Sequence, residues 1–118
     1  MDQKLFIDKM KTSKPMTKEQ IMKIIINHVN SNMDDGNPRG HRNLIIVMEE
    51  LAELTQETSK VIREKSNFIT LLEEMADALL SIYYLQEIVG ISDEELDKAV
   101  AVKMNRINDS LVEKGKYK

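Results

Sequence analysis

Apolar residues in this chain recur at threes and fours, and that regularity restricts it to helices. Leu44, Val47, Met48, Leu51, Leu54, Thr58, Val61 and Ile62 form one such stripe, the spacing of a single face of an α-helix. The segment from Met75 to Leu85 is apolar nearly all round, which predicts burial on more than one face. No strand-like alternation occurs, and there is no internal repeat of roughly 20–50 residues. The expected fold class is all-α: a four-helix bundle with short connections.

Punctuation places the helices. Thr17 with Gln20, and Ser92 with Glu95, are capping-box pairs, in which each side chain serves the other's backbone N–H. The first helix is therefore expected after Thr17, and the last from Ser92 to about Glu113. The second is expected from about His41 to Lys65, after a loop over Asn30–Gly40. The third runs from Phe68 to Val89, with Gly90 as the left-handed residue beyond its end. Residues 1–16 read as an N-terminal arm, in which Leu5, Phe6, Ile7 and Met10 allow one short docked turn. Residues 17–113 form the domain, and 114–118 a basic tail. At 118 residues the chain fits one core of roughly 100–150 residues, and a small helical domain often buries more against a copy of itself.

Charge and composition exclude several classes. A net charge of −3 offers no basic face for nucleic acid. With no cysteine there are neither disulfides nor thiolate metal sites. The start lacks a signal peptide's apolar stretch. Asp77, Ser81, Gln86 and Glu87 interrupt Met75–Val89, which is too short and polar for a bilayer. The expectation is a cytoplasmic protein with no membrane partner.

The acidic residues carry the chemistry. Glu49, Glu50 and Glu53 share one wall of the second helix, and Glu73, Glu74 and Asp77 stand on the third. Glu pairs usually form a solvated face, and Glu73 also suits a capping box with Thr70. Asp77 does not fit that reading. It lies in the apolar run, and the nearest basic residues in sequence are Lys65 and Lys98. A buried carboxylate needs a partner or a metal. If the two helices pack antiparallel, Glu50, Glu53, Glu74 and Asp77 converge. Like charges ~5 Å apart repel by roughly 3 kcal/mol at an effective dielectric near 20. A hard divalent cation, Mg2+ or Mn2+, relieves this and leaves coordination positions for phosphate oxygens. A di-iron site would need Glu-x-x-His motifs, and neither His28 nor His41 is so placed. Tyr83 and Tyr84 read as core or interface residues.

Glu49-Glu50-Leu51-Ala52-Glu53 and, after a gap of twenty residues, Glu74-Met75-Ala76-Asp77 resemble the EExxE…ExxD signature of the MazG family. The similarity spans about Leu44 to Arg106 and ends on Lys103-Met104-Asn105-Arg106. It implies an all-α pyrophosphohydrolase that converts a (deoxy)nucleoside triphosphate to the monophosphate and pyrophosphate. It assigns Mg2+ to Glu50, Glu53, Glu74 and Asp77, and support of the site or of the attacking water to Glu49. Lys103 and Arg106 would face the phosphates, and the alternative for both is a solvated helix end that complements the dipole. His41 and Asn43, just upstream of the acidic wall, would touch the nucleotide, or else form an exposed helix start. Members commonly form homodimers or homotetramers. Tryptophan is absent, so base stacking on Trp has no counterpart here. Phosphoribosyl-ATP pyrophosphohydrolase, within the same superfamily, and a non-catalytic helical interaction module are the competing readings.

Overall fold

The computed structural model of the chain describes residues 2–31 and 41–115, with side chains at all of these except His41 and Arg42. These residues form five α-helices and no strand: α1 (Gln3–Thr12), α2 (Lys18–Ser31), α3 (His41–Ile62), α4 (Phe68–Val89) and α5 (Asp93–Glu113). The all-α expectation holds, with one helix more than expected. The N-terminal arm is a ten-residue helix, begun where the Asp2 carboxylate accepts the N–H groups of Lys4 and Leu5. That acidic N-cap satisfies donors the chain would otherwise leave to water. Asn30 and Ser31 belong to α2; the rest of the expected loop and residues 116–118 of the tail lie outside the described residues.

The caps form largely as expected. Gln20 N–H donates to Thr17 Oγ1 at 3.1 Å and Thr17 N–H to Gln20 Oε1 at 2.9 Å, and Ser92 and Glu95 reciprocate in the same way at α5. Gly90 closes α4 at φ 82°. The start of α4 differs. Asn67, not Thr70, accepts the free N–H groups of Ile69 and Thr70. The Thr70 hydroxyl accepts instead from Gln3 Nε2 at 2.6 Å, which ties α1 to α4. α3 ends three residues before the expected Lys65. There Glu64 turns left-handed at φ 57°, and Lys65 N–H bonds back to Lys60 O at 2.8 Å.

Only five residues join α3 to α4, so the two pack as an antiparallel hairpin. Met22, Ile25 and Val29 of α2 meet Ile88 of α4 in the core, flanked by Ile21, Leu44, Tyr83 and Tyr84. This anchors one end of the hairpin, while α1 packs against α4 near its other end through Gln3 and Thr70. The inward line of α3 is Val47, Glu50, Leu54 and Glu57, rotated from the expected stripe, so Met48 and Ile62 are 68% and 82% exposed. On α4 the expected burial of several faces is not met within one chain. Ala78, Ser81 and Ile88 are buried, while Met75, Leu79 and Ile82 on the opposite face are exposed, because no further layer covers them. No described helix is long and apolar enough to cross a membrane.

Candidate metal centre

The hairpin brings Glu50 of α3 against Glu74 and Asp77 of α4. One carboxylate oxygen from each lies within 4.8 Å of the other two. The register follows from the sequence. Glu50 stands in the inward line of α3, and Glu74 and Asp77, one turn apart, flank the buried Ala78 and Ser81 on α4. All three are half-buried.

Their surroundings compensate this charge little: the chain's amino terminus alone draws the Asp77 carboxyl downward, against larger influences that raise it. Glu50 Oε2, Glu73 Oε1 and Glu74 Oε2 are sealed from solvent and have no hydrogen-bond partner. Among the described residues no Lys, Arg or His pairs with any of the acidic residues at this end of the hairpin. Glu57, two turns beyond Glu50 on α3 and almost fully buried, shows the contrast: Lys60 Nζ meets it at 2.8 Å. An unpaired buried carboxylate oxygen costs its desolvation in full. This structure makes that arrangement repeatedly in one place.

The proton affinities respond accordingly. Burial pushes the Glu74 carboxyl up to about 7 from its usual 4.5, helped by the charges of Glu53 and Asp77, a hydrogen bond with Glu53 and the charge of Glu50. Glu50 is raised by burial and then by Asp77, Glu53 and Glu49. Asp77 is raised by burial and then by Glu73 and Glu53, opposed in part by the positive charge of the amino terminus. Each group is thus held away from its charged form by burial and by like charges. Carboxylates of this kind, with inward unpartnered oxygens, suit a hard divalent ion that offers charge and coordination at once.

A cavity of about 430 Å³ opens beside the carboxylates. Glu50 and Asp77 form part of its wall with Asn43, Ser81, Tyr84 and His28, and Ile46, Val47, Leu80 and Ile88 supply the apolar remainder. His28 Nδ1 and Tyr84 Oη are hydrogen-bonded across it, and the rings meet edge to face at 5.5 Å between centroids. An apolar hollow with a few convergent polar groups is the usual form of a small-molecule site.

Of the residues singled out in sequence, Glu50, Glu74 and Asp77 come together directly. Glu53 is exposed and stands outside the triad, although its charge acts on all three. Glu49 is exposed beside Glu50. Asn43 lines the cavity; the side chain of His41 lies outside the described residues. Lys103 and Arg106 are not brought to the site within one chain, because no described part of α5 approaches another helix within 8 Å between Cα atoms. The start of α5 is tied elsewhere, by Lys18 to Asp93 and Asp97 at 3.4 and 3.6 Å. Sequence reasoning gave too little weight to three residues. Glu73, with its orphaned oxygen, had a signal in its four-residue spacing to Asp77 on the acidic wall. For His28 and Tyr84 none existed, since only packing of α2 on α4 pairs them. Comparison with known proteins found no matching family model, no matching curated protein and no matching solved structure.

Proposed function

We propose that this chain is a Mg2+-dependent hydrolase of (deoxy)nucleoside triphosphates, MazG-like in its site, releasing pyrophosphate and the nucleoside monophosphate. The observation that supports it most is the trio of converging carboxylates, of which Glu50 and Glu74 carry orphaned oxygens and Glu50 and Asp77 line a nucleoside-sized cavity. The donor set fits the ion: oxygen ligands only, half-buried, with solvent on one side for water and phosphate.

Glu50, Glu74 and Asp77 would hold the cation, with the exposed Glu53 adding its charge nearby. The bound ion, Mg2+ or Mn2+, supplies neutralisation of the triphosphate charge and acidification of a coordinated water. Glu49 or Glu53 accepts the proton of the attacking water, both being exposed next to the triad. The water oxygen bonds to the α-phosphorus as the bond from that phosphorus to the α–β bridging oxygen breaks. The electron pair leaves with pyrophosphate. Ile46, Val47, Leu80 and Ile88 take the apolar faces of base and sugar, while Asn43, Ser81 and the His28–Tyr84 pair offer hydrogen bonds to their edges. The same carboxylates would serve phosphoribosyl-ATP. The extent of exposed apolar surface favours, as a second reading, a helical interaction module without catalysis. Protein with these exposed faces is expected to work as a homodimer or homotetramer.

The test is pyrophosphate release from a panel of ribo- and deoxyribonucleoside triphosphates and phosphoribosyl-ATP, with Mg2+ or EDTA. Metal-dependent release that Asp77→Asn abolishes is the expected result. Folded protein that releases none from any substrate would leave the interaction module as the better reading.

A further inference from the structure

α1 is held to the rest of the chain by little. It has no buried residue, and Phe6 is its one half-buried side chain. Among the described residues it approaches no helix but α4. A single side-chain hydrogen bond crosses that contact, from Gln3 Nε2 to Thr70 Oγ1 at 2.6 Å. The connector to α2, residues 13–17, has no regular secondary structure and contains Pro15. A helix of this length is marginal alone in water, and a segment with few buried contacts opens at low free-energy cost.

What matters is where α1 docks. Thr70, Glu73, Glu74 and Asp77 stand at 0, 3, 4 and 7 on α4, the spacing of one helix face. Asp77 is therefore about 10 Å along the axis from Thr70. α1 meets this line with its N-terminal end, since Gln3 is its first residue. Aligned peptide dipoles place roughly half a positive charge there, offset by the Asp2 carboxylate that caps the helix. The amino terminus of the chain adds a full positive charge, and that charge acts on Asp77. No lysine or arginine side chain among the described residues pairs with the carboxylates of this end of the hairpin. The start of α1 is thus the positive influence that the chain itself brings to the centre.

A divalent cation reverses what that end of α1 meets. Carboxylates attract it, and a bound cation repels it. Two events that oppose each other do so reciprocally: the ion loosens α1, and release of α1 tightens the ion. One single and one double positive charge ~10 Å apart in water alter affinity by about fourfold.

We infer that α1 is a strap on the carboxylate centre, docked through Gln3 and Thr70 in the metal-free chain and loosened when a divalent cation binds Glu50, Glu74 and Asp77. The inference rests on the metal centre of the proposed function and not on its hydrolytic chemistry.

The coupling is read from both sides. Mn2+ affinity is measured by electron paramagnetic resonance for the unaltered chain, Gln3→Ala and Thr70→Val, which cut the tether without touching a carboxylate. Far-ultraviolet circular dichroism checks that both variants fold. Each is expected to bind Mn2+ about fourfold more tightly than the unaltered chain at low salt, with the difference shrinking as salt screens the charges. From the other side, a nitroxide is placed on Lys11→Cys, which labels at one position because the chain has no cysteine. Diamagnetic Mg2+ should raise the mobility of that label, and should fail to do so when Asp77→Asn is added. Equal Mn2+ affinities in the three chains, weaker binding by the variants, a label that Mg2+ leaves unchanged, or one that responds despite Asp77→Asn would each overturn the strap and leave the metal centre standing. Absence of Mn2+ binding by all three chains would refute the metal centre and the strap together.

Discussion

Asp77 sits half-buried among like charges, so its charge works against folding whenever no cation is bound. Asp77→Asn keeps the shape and removes the repulsion. In EDTA the variant is expected to gain about 1 kcal/mol, read as a Tm several degrees higher by scanning calorimetry, and to lose the stabilisation that millimolar Mg2+ gives the unaltered chain. A variant with lower Tm in EDTA would mean that Asp77 has a stabilising partner instead. The proton balance gives a second expectation. Glu74 titrates near 7 in the folded chain against 4.5 ordinarily, and Glu50 and Asp77 move the same way. Between these values the folded state binds more protons than the unfolded one, so stability falls as pH rises. In EDTA the urea midpoint should therefore decline from about pH 5 to pH 7 and level off above. Saturating Mg2+ should flatten or reverse that slope, since the ion competes with the protons. A midpoint independent of pH in EDTA would contradict the raised affinities.

At the scale of the helices, stability turns on how they end. Gly90 holds φ 82° with open space where a Cβ would stand, so Gly90→Ala costs the left-handed backbone penalty alone, about 1 kcal/mol in urea unfolding. Glu64 pays a related penalty at φ 57°, and Glu64→Gly is expected to stabilise by about 0.5 kcal/mol, after the entropy of a freer unfolded chain is subtracted. Equal midpoints for both variants and the unaltered chain would mean that these turns relax. Such local features were readable in sequence: Gly90, the Thr17–Gln20 and Ser92–Glu95 boxes and the α4 boundaries all depend on neighbours a few residues apart. So was the acidic wall, because three- and four-residue spacings map directly onto a helix face. What escaped depends on tertiary packing. The inward line of α3 runs through Glu50 and Glu57 against the carboxylates and Ser81 of α4, where periodicity alone favoured Met48 and Ile62. Asn67 replaced Thr70 as the cap, with Thr70 engaged by Gln3 of a helix far away in sequence.

The single chain is more open than its size warrants. Its radius of gyration is 17.4 Å, against about 13.5 Å for a compact domain of this length. It exposes 9313 Å², roughly 2,700 Å² above what a monomer of this mass shows. A standard interface covers about 800 Å² on each partner, so the excess is ample for association. Tm should accordingly rise with protein concentration, and a concentration-independent Tm would argue for a stable monomer. The central claim, however, is that Glu50, Glu74 and Asp77 hold a divalent cation, and it is tested most directly by Mn2+ titration followed by electron paramagnetic resonance. The free-ion signal should be suppressed by stoichiometric unaltered protein and return with Asp77→Asn. A free-ion signal that the unaltered protein leaves unchanged would contradict the metal centre.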